Sequence, residues 1–419
     1  MLRFNDGATV VPCSAACVLQ EMGLIPHSPF RNILIRYEYP ERVAVPALMF
    51  GRKASMKLTA PRKIGALKIV ASGVCLLALF VLVFAFCQNL LLSKVESKDF
   101  RVNAQTSYWH EYRSLEENTV DVLYVGSSIV YCGVDPQLVY EQTGITSYAF
   151  GAGSVRYDQV YLALKEALKT QDPKYVMLEA SAFRYQGPNE EPKYHRAVDE
   201  ISLSLEKLQV IAENDWEGGV DIVNFAFPLL RYHDRWDQVD ADDFHYALFG
   251  AYQTYQRGHA PAYNVTPIAI DFYKEKENWA SYPRNYTYMD KIVQLCQDEG
   301  IELIIFKVPS RNWNYVQSAA MQEYADSKGV RFIDYTHDYD AIGLDENTDF
   351  VDAIGHLNQY GSEKFTSYMT QGLLSTFGLP DHRGEYTRWD DDLEAYKEVK
   401  ASWKEHAAEM AVEDAEGQD

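Results

Sequence analysis

Cysteine is scarce in this 419-residue chain, six in all, and no group of them has the paired spacing of a zinc site. No His-Glu-x-x-His motif occurs either, so neither a metal nor another cofactor is expected. Basic residues are also few, with 39 Lys and Arg against 60 Asp and Glu. Ten basic and four acidic residues precede Lys94, which leaves 29 and 56 from there on, a net charge of about −27. Such a surface repels phosphate backbones and bare anionic membrane, which excludes a nucleic-acid partner. It suits a neutral or cationic substrate, or simply colloidal solubility. Internal repeats and low-complexity tracts are absent, and the 47% hydrophobic content suffices for a sizeable core.

What stands out against this background is one uncharged apolar run, Ile69 to Cys87, that continues without charge to Ser93. Its length matches the roughly 20 residues that cross a hydrocarbon core, and it exceeds a usual signal-peptide core. Arg52, Lys53, Lys57, Arg62, Lys63 and Lys68 precede it, whereas only Lys94 follows closely. That asymmetry predicts a single-pass membrane protein with a cytoplasmic N-terminus and an extracytoplasmic main domain. The expected layout is a cytoplasmic segment over 1–64, an anchor over 65–93, a main domain over 94–383 and an acidic helical tail over 384–419. Residues 1–48 lack clear periodicity, and translation from Met49 or Met56 would leave a short basic leader. Cys132 and Cys296 lie beyond the anchor, where a disulfide is chemically allowed but no spacing fixes one.

From Val120 onward, short apolar runs alternate with helical patterns. VDVLYVGSS, ITSYAFG, KYVMLEASAF, IELIIFKVPS and VRFIDYT read as strands. The stretches Val155–Thr170, YMDKIVQLCQDEG, YVQSAAMQEYADSKG and NQYGSEKFTSYMTQGLLSTFG read as helices. Continuously apolar strands alternating with helices specify an α/β fold: three layers, α/β/α, around a central, mainly parallel sheet, preceded by one N-terminal transmembrane helix. The alternation lapses between about Arg184 and Trp279, a Tyr-, His- and Asp-rich segment read as a helical insertion that caps or lines the site.

Side chains at the carboxyl ends of parallel strands face the ligand crevice of such a sheet. Ser127 and Ser128 fall there, after a glycine that permits a sharp turn, although a plain helix cap or turn explains a Gly-Ser-Ser taken alone better. A serine hydroxyl needs a base and oxyanion donors to act as a nucleophile. In DFVDAIGHLNQYG, Asp352 and His356 place a carboxylate near an imidazole just before the last helix, and Asn358 is a substrate contact or that helix's cap. Glu179 and Lys307, at other strand ends, are candidate substrate contacts or structural charges. His233 and Arg235 are candidates to line the pocket from the insertion.

Taken together, Gly126-Ser127-Ser128 and Asp352 to Asn358 resemble the two signature blocks of the SGNH/GDSL hydrolase superfamily. The resemblance spans roughly Val120 to Gly378, with serine in place of aspartate in the first block and His356-Leu357-Asn358 in place of His-Pro-Asn in the last. It is closest to the membrane-anchored branch that includes the D-alanyl-lipoteichoic acid protein D type and the alginate O-acetylation proteins. The resemblance implies a serine esterase or O-acyltransferase acting on ester-linked acyl groups of cell-envelope glycopolymers. It makes Ser128 the nucleophile, His356 the base and Asp352 its orienter, with backbone N–H groups of Ser128 and of Gly151 or Gly153 forming the oxyanion hole. Three residues separate Asp352 from His356 where the family has two, which leaves Asp349 as a fallback acid. The family's Gly-x-Asn block has no counterpart in LEASAFRY. Implied partners are an envelope glycopolymer or acylated carbohydrate and a multi-span membrane acyltransferase. The alternative is a non-catalytic binding or assembly protein on the same fold.

Overall fold

The computed structural model describes residues 63–92, 105–272 and 280–416. The proposed start sites at Met49 and Met56, Cys13, Cys17 and most of the expected cytoplasmic segment lie outside the described residues, as does the insertion's expected end at Trp279. Helix α1 spans Lys63–Leu91. Its portion Lys68–Leu91 has a mean hydropathy of 2.9 in its most apolar window, none of it buried, and is long and apolar enough to cross a membrane.

Five parallel strands form the sheet: β1 (Val122–Ser127), β2 (Ser147–Ala152), β3 (Tyr175–Glu179), β4 (Glu302–Lys307) and β5 (Arg331–Asp334), in the order β2-β1-β3-β4-β5. Helices pack on both faces, so the fold is the three-layer α/β/α class that the strand and helix alternation predicts. The two-residue period of β1 divides its side chains between two cores. Leu123 and Val125 join Phe150, Leu178, Ile305 and helices α5 (Tyr157–Ala167) and α11 (Pro283–Asp298) on one face. Val122 and Tyr124 join Met177, Phe306 and α14 (Gln359–Gly372) on the other. Val122 to Val125 are fully buried, and each such aliphatic side chain contributes about 1.5–3 kcal/mol.

The chain steps from β1 outward to β2, then returns across β1 to β3 and proceeds in the opposite direction. The β1/β3 boundary is therefore the topological switch point, where a crevice opens beyond the strands' carboxyl ends. Between β3 and β4 lie the helices α6 (Glu191–Val198), α7 (Leu205–Ala212), α8 (Ile222–Ala226), α9 (Pro228–Tyr232) and α10 (Ala241–Phe249), after which residues 250–272 run without helix or strand. The C-terminal helix α15 (Thr387–Glu416) is held to the domain by buried Trp389 and Tyr396. Arg257, fully buried, bridges Glu111 and Asp392 at 2.6 Å each and lies 4.4 Å over the Trp389 ring.

Candidate active site

Strand β1 passes straight into the short helix α3 (Ser128–Gly133), with Ser127 as N-cap accepting from the Ile129 N–H. Gly126 permits this turn by its lack of a side chain. A Cβ there would stand 2.8 Å from both the Glu179 Cβ and the Val130 Cγ2, closer than carbon atoms approach. Ser128 is thereby placed at the first helical position, where its N–H has no intrahelical partner, with its hydroxyl toward the crevice.

The opposing wall is the loop from Asp349 to Asn358, fixed by several hydrogen bonds. Val351 N–H donates to His356 O at 2.9 Å and Asn358 N–H to Asp349 O at 3.0 Å, which close the loop at its base. Asp352 Oδ1 accepts the backbone N–H groups of Ile354, Gly355 and His356 at 2.9, 3.1 and 3.3 Å. Its second oxygen, Oδ2, lies 2.7 Å from His356 Nδ1. The extra residue between acid and base is absorbed in this turn, so a spacing of four still brings carboxylate and imidazole together. Gly355 sits at φ +89, and a Cβ on it would come 2.6 Å from the Arg311 backbone nitrogen. Only glycine fits the step that aims His356.

Across the crevice, His356 Nε2 stands 2.7 Å from Ser128 Oγ. With Nδ1–H donating to Asp352, Nε2 carries the lone pair and accepts a hydrogen bond from the Ser128 hydroxyl. Burial would raise the Asp352 carboxyl, but the hydrogen bonds and charge of His356 and the backbone donors outweigh it and hold it below the usual range. Asp352 thus stays ionised wherever the imidazole needs a partner. Burial and then the Asp352 charge push the Cys132 thiol far up, which disfavours its thiolate. Cys132 and Cys296 are both free thiols.

Other candidate residues are held by partners within the protein. Asp349 does not reach His356. It is buried, binds Lys364 Nζ at 2.6 Å and accepts the Asp345 N–H at 2.8 Å, so it braces the loop. Asn358 is not a substrate contact. Its Oδ1 caps α14 through Tyr360 and Gly361, and its amide donates to Thr348 O at 2.7 Å. Ser127 is buried and serves as the cap. Glu179 and Lys307 face each other, fully buried, at 2.9 Å. Glu179 also accepts the Ser181 N–H and hydroxyl at 2.9 and 2.8 Å, and with neither side chain open to solvent the pair faces the protein interior. The insertion brings neither His233 nor Arg235 to the pocket: His233 is exposed and bonded to Leu230 O, and Arg235 donates to the last carbonyls of α1.

Of the two glycines, Gly151 is within β2, paired with Gly126, and its Cβ position is filled by Ser127 O at 2.6 Å. Gly153 follows the end of β2 with open space around it, which leaves it with Ser128 as the backbone donor candidate. Sequence reasoning missed Gly355 and Arg311. A glycine directly before the histidine was the available signal for the first. For the second, exposed Arg311 donates to Ala353 O at 3.2 Å and stands beside the His356 loop.

No family model matches this sequence, and no curated protein matches it. Among solved structures, it is similar to a GDSL-like lipase from Bacteroides thetaiotaomicron, at 12% identity and a TM-score of 0.32, covering 67% of this chain and all of that one. It is also similar to an acetyl xylan esterase, at 14% identity and a TM-score of 0.30, covering 61% of this chain and all of that one. The fold class rests on the strand order and not on these likenesses.

Proposed function

We propose that the protein is a serine esterase or O-acyltransferase of SGNH type, anchored by α1 with its α/β domain outside the membrane, acting on acyl esters of envelope glycopolymers. The observation that carries the chemistry is the continuous chain from Ser128 Oγ to His356 Nε2 and from His356 Nδ1 to Asp352 Oδ2, 2.7 Å at each link. His356 takes the Ser128 proton as Oγ attacks the ester carbonyl. The resulting oxyanion is held by the N–H groups of Ser128 and Gly153. Collapse expels the alcohol, which leaves with the proton from Nε2, and an acyl-serine remains. Water, or a sugar hydroxyl activated by the same imidazole, then releases the acyl group as acid or as a new ester. The acidic surface of the domain suits a neutral or cationic polymer.

Hydrolysis and transfer are separated by following an aryl acetate with and without a polyol. Transfer predicts that acetylated polyol accumulates and that release of the aryl alcohol accelerates. Release of acetate alone identifies an esterase, and no aryl alcohol release from folded protein contradicts both.

A second reading, a non-catalytic holder of glycopolymer, is favoured by one observation. At the end of β3 the Ser181 hydroxyl donates to Glu179, so that position offers no free side-chain donor to the oxyanion. Such a loss costs on the order of 100-fold in rate and weakens catalysis without abolishing it.

Three substitutions test the wall that carries the base. Asp352→Asn is expected to lower kcat by on the order of 10⁴-fold with the fold intact, because the imidazole loses its tautomer and orientation. Asp349→Asn is expected instead to lower the unfolding midpoint, measured by thermal denaturation, with a far smaller effect on kcat. Gly355→Ala introduces strain of about 1–3 kcal/mol at a positive φ and is expected to reduce kcat at least tenfold by displacing His356. A steady-state assay beside a circular dichroism melt reads both effects.

A further inference from the structure

The insertion exposes an apolar face that the site does not use. Trp236 is 73% exposed, Phe249 71%, Leu248 60% and Leu230 48%, all on α9, α10 and the turn of helix His233–Gln238 between them. Large exposed aromatics gathered on one segment mark a contact surface. The same segment grips the end of α1. Phe227 meets the Phe84 ring edge-on at 5.9 Å, and Phe244 lies 6.5 Å from Phe86. Arg235 Nη1 donates to Leu91 O, in the last residue of α1, and to Leu92 O just beyond it, at 2.8 and 2.7 Å, and its charge suits the helix C-terminus.

These contacts set the height of the insertion. A span of about 20 residues counted from Ile69 ends near Gln88, which puts Phe84 and Phe86 at the outer edge of the hydrocarbon. Phe227 and Phe244 then lie at the same level, where aromatic side chains are favoured. We infer that the exposed face of the insertion, centred on Trp236, Leu248 and Phe249, inserts into the outer interface of the lipid bilayer around α1, so that the domain is docked on the membrane. This rests on the reading of α1 as a membrane span. The segment carries Asp234, Asp237, Asp240, Asp242 and Asp243 against Arg231 and Arg235. Docking therefore proceeds by apolar insertion and does not need anionic lipid.

The test uses the full chain in phosphatidylcholine vesicles, with acyl chains brominated near the headgroup or unbrominated. Emission of wild type minus that of Trp236→Phe isolates the Trp236 signal. The inference predicts a blue-shifted signal that loses most of its intensity with brominated lipid, and recovers it in a Leu248→Asp, Phe249→Asp variant with an unchanged melting curve. An unquenched, water-like signal overturns docking while the span stands, provided the chain resists alkaline extraction. A signal shielded from both brominated lipid and aqueous acrylamide also overturns it, because a protein then covers the face. Release of the chain by alkaline extraction overturns the span itself, and docking with it.

Discussion

Ser128→Ala is expected to cut turnover of an aryl acetate by on the order of 10⁴-fold or more, with an unchanged far-ultraviolet spectrum and melting midpoint. The size follows from the chemistry. Without Oγ no acyl-serine forms, and His356, whose Nε2 stood 2.7 Å from that oxygen, can at best activate water from the wrong position. The fold is spared because the backbone at Ser128 enters α3 through the Ser127 cap, which the substitution leaves in place. Alanine is also well tolerated at a first helical position. His356→Ala should lose nearly as much, and the double variant scarcely more than either, because nucleophile and base act as one unit. Additive losses in a steady-state assay would instead mean that the two residues work independently.

The largest expected loss of stability comes from breaking the buried pair of Glu179 and Lys307. Both side chains are inaccessible to solvent and lie 2.9 Å apart beneath the switch point. Glu179→Ala leaves the Lys307 ammonium buried without its carboxylate, a loss of about 3–5 kcal/mol read from the denaturant midpoint. Burial already pushes the Lys307 ammonium down, with the Glu179 charge opposing that shift, so removing Glu179 favours the neutral amine. Combining Glu179→Gln with Lys307→Met removes both charges and should recover most of the lost stability, since two desolvation penalties go with them. If the double variant is no better than Glu179→Ala, the position matters for its shape and not for its charges.

The sheet was legible in the sequence because its strands, apart from the half-buried edge strand β5, are buried on both faces. VDVLYVGSS and IELIIFKVPS are continuously apolar and β-branched, and their intervening helices end at glycines such as Gly300 and Gly329, both at positive φ. The pairing of Ser128 with His356 spans 228 positions and has no local periodic signal. It was reached through the order of two blocks in a family resemblance. Lys307 and Glu179 could not be placed, because an isolated charge at a strand end reads alike whether it faces the crevice or a partner 128 residues away. The choice between Asp349 and Asp352 depended on a turn in which one carboxylate caps three backbone N–H groups while reaching the imidazole, a geometry invisible in residue spacing. Arg235 was misplaced for a related reason. Its acceptors are carbonyls of α1, 143 and 144 residues earlier, and backbone acceptors leave no trace in composition.

The most direct test of the catalytic reading is to treat the folded full chain with a fluorophosphonate and locate the adduct by peptide mass spectrometry. An activated hydroxyl at the tip of β1 predicts one phosphonylated residue, Ser128, with labelling lost in His356→Ala. Wild-type protein that melts cooperatively yet takes up no label, or takes it up at another residue, would contradict it.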